Sequence, residues 1–370
     1  EVGCFLSSGI DSCLVASLAS KIKSGLKTFT VKFEGKYDES PIANKVASAI
    51  GTDHKVIEID YKDLLKDIDQ IIYNYGQPFA DSSSIPSYYV SKEAKKYLTV
   101  ILNGDGADEI FGGYRRYVLA NSPFNVYGDN HLIKSILSPL LRALPHPKTK
   151  ISMFNYLKRF RKVLKYSGFD SYLSLTVSAF DFNSFKNKPH VYLDKEIKLF
   201  NKILSNTNSN LEKTMQLDFE LLFPGLLYKM DIATMSNSLE ARSPFLTKEL
   251  LEFAPTMKNK FRINGVNTKY ILRRLAKEIV PYDIHNLPKK GFEPPLSNWV
   301  CGELKDLIID RIENNRLVSD FITEDEVKRL IEGFSNQNFD ISWLRKVWRV
   351  FILEQWYSIT TKRKINPLNK

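Results

Sequence analysis

Cysteine is scarce in this chain. The three in 370 residues, Cys4, Cys13 and Cys301, are too few and too scattered for a disulfide scaffold or a thiolate metal site. A reducing cytoplasm is therefore the expected compartment, and no signal-peptide pattern argues otherwise. No apolar run reaches the length that spans a bilayer, so no membrane partner is expected. The five histidines, at positions 54, 131, 146, 190 and 285, form no close pair with ligand spacing, which argues against a zinc site. Gly-Lys-Ser and Gly-Lys-Thr are missing, which excludes a Walker A loop. Gly104 and Gly106 do not complete a dinucleotide fingerprint, because the position three after Gly106 is Glu109. Phe5 stands where a hydrolase elbow around Ser7 requires glycine. No internal repeat or low-complexity tract is visible.

With 43% hydrophobic and 26% charged residues, the chain reads as a soluble globular protein large enough for two subdomains. Its net charge of +11 fits anionic small substrates, an acidic partner segment or nucleic acid. The basic residues form no long run, so nucleic acid is given the lowest weight of the three. Arg345-Lys346 with Arg349, and Lys362-Arg363-Lys364, read as a solvated face and tail. Residue 1 is Glu, with no Met ahead of the first strand-like run, so the chain is expected to be part of a longer protein.

Strand-like runs at 1–6, 27–33, 55–59 and 98–102 alternate with helix-like runs at 11–23, 40–50, 61–75 and 85–97. This alternation predicts a doubly wound α/β domain with a parallel sheet, whose ligands bind beyond the carboxyl ends of strands near a switch in strand order. After Tyr117, Pro123, Pro139, Pro145 and Pro147 break the pattern, and 201–210, rich in Asn and Ser, reads as a surface loop. From Leu211 the apolar spacing is helical, through Met215, Phe219, Leu222, Leu226, Leu227 and Met230. The expected division is an α/β core over 1–120, a variable helical insert over 121–210 and a helical region over 211–370 that completes the active site.

Two turns carry the chemistry. Leu6-Ser7-Ser8-Gly9-Ile10-Asp11-Ser12 joins an apolar strand to an amphipathic helix, where unpaired backbone N–H groups and the positive end of the dipole favour an anion. Read alone, it is equally a Ser-rich N-cap. Asn103-Gly104-Asp105-Gly106-Ala107-Asp108-Glu109 follows the strand-like run 98–102 and sets three carboxylates beside two glycines. Alone it reads more readily as a plain surface turn. Together the turns offer phosphate-binding amides and the hard oxygen ligands that Mg²⁺ prefers.

The first turn resembles the pyrophosphate loop of N-type ATP pyrophosphatases, usually Ser-Gly-Gly-x-Asp-Ser. Further blocks narrow the resemblance to the synthetase domain of glutamine-dependent asparagine synthetases and their relatives. They are Thr28-Phe29-Thr30-Val31 with Tyr37-Asp38-Glu39, Asn103-Gly104-Asp105-Gly106-Ala107-Asp108-Glu109-Ile110-Phe111-Gly112-Gly113-Tyr114, Asp231-Ile232-Ala233-Thr234-Met235, Ser238-Leu239-Glu240-Ala241-Arg242-Ser243-Pro244-Phe245-Leu246, Lys269-Tyr270-Ile271-Leu272-Arg273, and Lys290-Gly291-Phe292 before Trp299. The blocks keep the family's order over most of the chain, whereas 122–210 matches weakly. Ser8 replaces the commonest glycine, and Asn103 and Asp105 stand where many members have Ser and Glu. The second departure bears on the acceptor more than on the reaction type.

The resemblance implies the adenine nucleotide hydrolase-like fold, ATP and Mg²⁺ as cofactors, and a carbon–nitrogen ligase. An acceptor carboxylate, the aspartate side chain first, would attack the α-phosphorus to give an acyl-adenylate and pyrophosphate; ammonia would then displace AMP. Alternative acceptors are a sugar acid, a peptide carboxylate or a β-amino acid, and a catalytically silent nucleotide- or RNA-binding module is the alternative of another class. By resemblance, ATP would contact Leu6, Ser7, Ser8, Gly9, Ile10, Asp11, Ser12, Val31, Asn103 and Gly104. Asp11 and Asp108 would hold the metal, Lys269 would stabilise charge at the α-phosphate, and Asp105 would orient ammonia or accept its proton. Without the family, Lys269 would read as a solvated lysine in a basic helix. Glu109 and Arg242 are expected to be structural, pairing to hold loops, and Asp81-Ser82 to lie near the site. Ammonia would come from glutamine through an upstream glutaminase domain that this chain lacks, and a homodimer is among the expected assemblies.

Overall fold

The computed structural model describes residues 1–32, 38–58, 63–122, 127, 166–176, 180, 182–187, 193–206, 209–280, 294–314, 316–335 and 340–365. Tyr37, the prolines at 123, 139, 145 and 147, the Lys290-Gly291-Phe292 block and the side chains of Lys362-Arg363-Lys364 lie outside the described residues.

Strands β1 (Val2–Phe5), β2 (Lys27–Lys32), β3 (Asp53–Glu58), β4 (Val100–Leu102) and β5 (Glu240–Arg242) form one parallel sheet of order β3-β2-β1-β4-β5. Cys4 aligns with Thr28 on one side and Leu102 on the other, and Ile101 aligns with Ala241. The chain thus builds outward from β1 in one direction and returns to its other side through β4. This reversal is the switch point at which an open α/β sheet leaves a crevice beyond its carboxyl ends. The four strands and the helices read from periodicity are present: α1 (Ile10–Ile22), α2 (Ser40–Ile50), α3 (Leu64–Asn74) and α4 (Ser84–Ala94). The bounds of α2 follow from its residues, since Pro41 favours the first turn and Gly51 closes the helix at φ 68°.

One face of the sheet packs Cys4 and Leu6 against Cys13 and Leu14 of α1 and Val46 of α2, and the other packs Phe29, Val31 and Ile101 against Val90 and Ala94 of α4. Beyond β4 follow α5 (Ala107–Phe111), α6 (Arg115–Ala120), α7 (Gly168–Thr176), α8 (Asp194–Asn206), α9 (Asn210–Leu221), α10 (Phe223–Met235), α11 (Tyr270–Ile279), α12 (Lys305–Glu313), α13 (Glu324–Glu332) and α14 (Ile341–Ile365). A separate core gathers Trp299, Trp348 and Phe351 with Leu64 and Ile68, so α3 serves the helical region as well as the crossover. Among the described residues no helix is long and apolar enough to cross a membrane.

Three sequence expectations need correction. The fifth strand, β5, arises within the stretch read as helical, because Glu240-Ala241-Arg242 has too little apolar alternation to announce itself and is recruited by pairing with β4. Residues 201–206 of the expected loop continue α8, whose Phe200 and Ile203 are buried against Tyr127 and Phe169; burial overrides the polar composition there. Arg345, Lys346 and Arg349 are not a solvated face. Lys346 is 20% exposed and pairs with Glu326, while Arg345 and Arg349 are partly buried on α14.

Helices α6, α7 and α9 are tied together through one carboxylate. Asp218 of α9, fully buried, accepts from Arg116 Nε at 2.6 Å and from the Tyr172 hydroxyl at 3.1 Å. The Arg116 guanidinium lies over the Tyr114 ring, 4.0 Å from its centroid. Removing one member of such a pair strands the other charge. Asp218→Ala is accordingly expected to cost about 3–5 kcal/mol of unfolding free energy in a urea titration, and a loss within experimental error would refute the tie.

Candidate functional site

The first turn leaves β1 at Phe5 and enters α1 at Ile10 with Gly9 in an extended N-cap geometry, its φ −78° and ψ 141°. No side chain caps this helix end. The two serines brace the loop from within. Ser7 Oγ lies 2.8 Å from Ser12 Oγ, Ser12 Oγ accepts from the Ser7 amide at 3.1 Å, and the Ser12 hydroxyl is placed to donate to Gly9 O at 3.0 Å. The Gly9 amide reaches Ser7 Oγ at 3.1 Å, and the Ser8 amide donates to Glu39 Oε2 at 3.1 Å. A carboxylate therefore already sits on an amide at the N-terminal end of α1, which is the chemistry expected of an anion cradle.

The second turn lies alongside because β4 is the parallel neighbour of β1. A Cβ added at Gly104 would sit 2.8 Å from Asp11 Cβ and 3.1 Å from the Ser12 amide nitrogen, so only glycine lets the two loops approach this closely. Asn103 bridges its own turn, with Nδ2 donating to Asp105 Oδ2 at 2.8 Å and Oδ1 accepting from the Asp105 amide at 3.2 Å. The Ser243 hydroxyl, just past β5, donates to Asp105 O at 2.5 Å and fixes the turn from the edge of the sheet.

Between the loops lies Lys269. Its Nζ is 2.5 Å from Asp11 Oδ2 and 2.7 Å from Asp108 Oδ1, and its side chain is 3% exposed against 19% for each aspartate. Contrary to the sequence reading, Lys269 is not inside a helix. It is the N-cap of α11, in the left-handed region at φ 51°, with its amide directed to Gly112 O at 3.3 Å. A residue held there without being glycine carries a backbone cost that surrounding contacts must offset. Gly113 supplies the space, since a Cβ on it would meet Asp108 Oδ1 at 1.7 Å and Lys269 Cε at 2.3 Å.

Charge sets the titration of these groups. Burial disfavours the Lys269 ammonium, but Asp11 and Asp108 outweigh it and hold its pKa above the ordinary lysine range. Burial pushes the Asp105 carboxyl up, opposed by Lys229 and reinforced by Asp108 and Asp11. Burial also pushes the Cys4 and Cys13 thiols up to about 12, so neither is a thiolate nucleophile at neutral pH.

The structure thus brings together residues 7–12, Asn103, Gly104, Asp105, Asp108 and Lys269. The Leu6 amide donates to Phe29 O at 2.8 Å, and its side chain is buried. The side chain of Val31 is in the core on the far face of the sheet. Glu109 and Arg242 do not pair as expected: Glu109 accepts from the Tyr114 hydroxyl, and Arg242 pairs with Glu240. Sequence reasoning passed over Glu39 as a partner of the loop, and over Lys229, whose Nζ lies 3.1 Å from Ser83 Oγ and 3.5 Å from Asp81 Oδ2. Its only signal was its place two residues ahead of the block that begins at Asp231.

The donor set suits a small hard cation shared with a phosphate. Asp11 and Asp108 already face one positive charge, and among the described residues no cluster of three or more His, Cys, Asp or Glu could hold a metal. Two carboxylates with substrate oxygens and water completing the shell is the arrangement Mg²⁺ takes in phosphate chemistry.

Over residues 1–358 the sequence matches the family described as asparagine synthase. It is 32% identical over 376 residues to asparagine synthetase [glutamine-hydrolyzing] 1 of Bacillus subtilis, covering 99% of this chain and 57% of that protein. It is 29% identical to a putative asparagine synthetase [glutamine-hydrolyzing] of Mycobacterium bovis, covering 99% of this chain and 56% of that protein. A more distant relative, 25% identical over 91% of this chain and 54% of its own length, is amidase chyE of Penicillium rubens. The chain therefore spans little more than half of these relatives, and it belongs to the asparagine synthase family.

Proposed function

We propose that this chain is the synthetase part of an ATP-dependent amide-forming ligase, which adenylates a carboxylate, the aspartate side chain first, and passes ammonia to it. The observation that carries the reading is the convergence of an amide-lined turn, two carboxylates and one buried ammonium at the switch point of the sheet. In the first step an acceptor carboxylate oxygen attacks the α-phosphorus of ATP, forming the acyl–phosphate bond and releasing pyrophosphate. In the second, the ammonia nitrogen attacks the acyl carbon and AMP leaves with the bonding pair. Residues 7–12 bind and orient the leaving pyrophosphate through amides and hydroxyls. Lys269 sits where negative charge builds on phosphate oxygens, and the buried setting strengthens its effect. Asp11 and Asp108 would hold Mg²⁺, which supplies charge neutralisation to the polyphosphate when bound. Asp105, beside the reacting carbonyl in this reading, accepts a proton from the attacking nitrogen. Ammonia would derive from glutamine through a domain outside this chain, in a protein placed in the cytoplasm; a homodimer remains the proposed assembly.

The test of the reading is pyrophosphate release from Mg-ATP with ammonium present and a panel of carboxylates. Aspartate-dependent release with asparagine as product is expected. Release with a sugar acid, a peptide carboxylate or a β-amino acid instead would keep the mechanism and change the acceptor, whereas ATP binding with no release in any mixture would overturn the ligase reading in favour of a silent module.

Asp11→Asn and Asp108→Asn are expected to abolish Mg-dependent release with the circular dichroism spectrum unchanged. Lys269→Ala should lower kcat at least about a hundredfold while ATP affinity falls far less, because its charge matters most in the transition state. Unchanged turnover in the two asparagine variants would remove the metal assignment, and a loss of ATP affinity alone would make Lys269 a binding residue only.

The raised pKa of Asp105 makes a further prediction. As a base it must be ionised, so the rate of amide formation at constant free ammonia should fall as pH drops through a value above the ordinary carboxylate range. Asp105→Asn should erase that acidic limb and depress amide yield more than ATP–pyrophosphate exchange. Equal loss of both steps would assign Asp105 elsewhere.

A further inference from the structure

Asp38 and Glu39 take no part in the adenylation chemistry, yet Glu39 reaches the turn that would hold the phosphates. The two residues stand directly ahead of α2, and their carboxylates do different work. Asp38 Oδ1 accepts from the Ser40 amide at 2.9 Å and so serves the start of α2 itself. Glu39, the N-cap residue of α2, makes no side-chain cap there; its Oε2 instead accepts from the Ser8 amide at 3.1 Å, across 31 residues of sequence. The two helix starts lie close because α1 and α2 pack together, with Cys13 and Leu14 in one core with Ala43 and Val46. Glu39 is partly buried, and its charge is felt in α1, where burial first, then Asp11 and Glu39, push the Cys13 thiol up.

The turn does not need this contact for its shape. Ser7 and Ser12 brace it from within, through the Ser7 amide, the Gly9 amide and the Gly9 carbonyl. The Ser8 amide is a donor that this bracing leaves over, at a helix end where N–H groups favour an anion. A phosphate oxygen held at the start of α1 would claim that same N–H. One amide hydrogen does not serve two anions at full strength, and anions in contact repel. Carboxylate and phosphate are therefore alternatives at the Ser8 amide. ATP has its adenosine to hold it as well, whereas free pyrophosphate has only its phosphate oxygens.

Resting on the ligase reading, we propose that Glu39 is a displaceable anion: it holds the Ser8 amide until a phosphate oxygen takes it, and it retakes that amide as pyrophosphate departs. By competing for the donor it weakens the hold on the product and favours release over the reverse reaction. Glu39 acts through the Ser8 amide and meets none of the reacting atoms.

The test measures calorimetric binding of inorganic pyrophosphate, with Mg²⁺ present, and of adenosine to the 370-residue chain and to two variants whose folding is checked by circular dichroism. Glu39→Gln keeps a side chain of the same reach without its charge, and Glu39→Ala removes it. Both should bind pyrophosphate about tenfold more tightly than wild type, with adenosine affinity unchanged. Pyrophosphate should also inhibit turnover of E39Q at correspondingly lower concentration. A brace of the turn would behave in the opposite sense, E39Q binding as wild type does and E39A binding more weakly; either result in a folded variant overturns the proposal. So would tightening in E39A alone, which would trace the effect to bulk and not to charge, an equal gain for adenosine, or no measurable pyrophosphate binding by any of the three chains. If no carboxylate supports pyrophosphate release yet E39Q binds pyrophosphate more tightly, the displaceable anion stands and the ligase reading fails. If aspartate is converted to asparagine and E39Q binds pyrophosphate as wild type does, the ligase reading stands and the displaceable anion fails.

Discussion

The contact on which the rest of the site depends is the Lys269 ammonium between Asp11 and Asp108. The two carboxylates belong to loops leaving neighbouring strands, and two like charges brought this close in a partly buried crevice repel unless a cation stands between them. Lys269 arrives from far along the chain to fill that place, and everything near it is trimmed to admit it. Glycine at 104 lets one loop lie against the other, glycine at 113 clears the path of the lysine side chain, and a left-handed backbone turns residue 269 inward. A buried ion pair of this kind is weak evidence for stability, because desolvation consumes most of the Coulombic gain. Its worth is positional: the arrangement holds two carboxylates and a cation in one spot before any ligand arrives.

An anion cradle lined with carboxylates is an uneasy host for a polyphosphate. Asp11, Asp105 and Asp108 repel it, and Glu39 already occupies the Ser8 amide. The residues resolve this only with cations present. Lys269 supplies one charge within the site, and the two-carboxylate donor set leaves room for a divalent ion that arrives with the nucleotide. On the proposed reading, binding exchanges protein carboxylates for phosphate oxygens at the same donors, so that affinity depends on the metal carried in and less on any single protein contact.

Periodicity made the α/β core legible because its strands are short apolar runs and its helices amphipathic. Both special turns were legible only as a pair, since glycine, serine and aspartate between a strand and a helix are ordinary cap and turn residues when either is read alone. What escaped shares a physical cause: tertiary placement overriding local pattern. Glu240-Ala241-Arg242 becomes a strand only because β4 offers an edge. Lys269, named through family resemblance, shows nothing in its own residue type of a left-handed N-cap, for lysine is no usual occupant of that region. Arg349 read as one more basic residue on a polar helical face, yet α14 packs against α3 and Trp299 and carries it inward. Lys229 was hidden the same way, inside an otherwise apolar helical stretch.

The origin of the charged groups bears on how the family's chemistry can vary. Those proposed to meet the phosphates stand on or beside loops of the sheet, with Lys269 at the head of α11. The charged groups nearest to them on the helical side, Asp81 and Lys229, come from the turn before α4 and from α10. The phosphate-facing loops are held by contacts that only glycine permits at 104 and 113, so they depend on the sheet and on α11 and not on the rest of the helical layer. A fold divided in this way tolerates change on its helical side at constant reaction type.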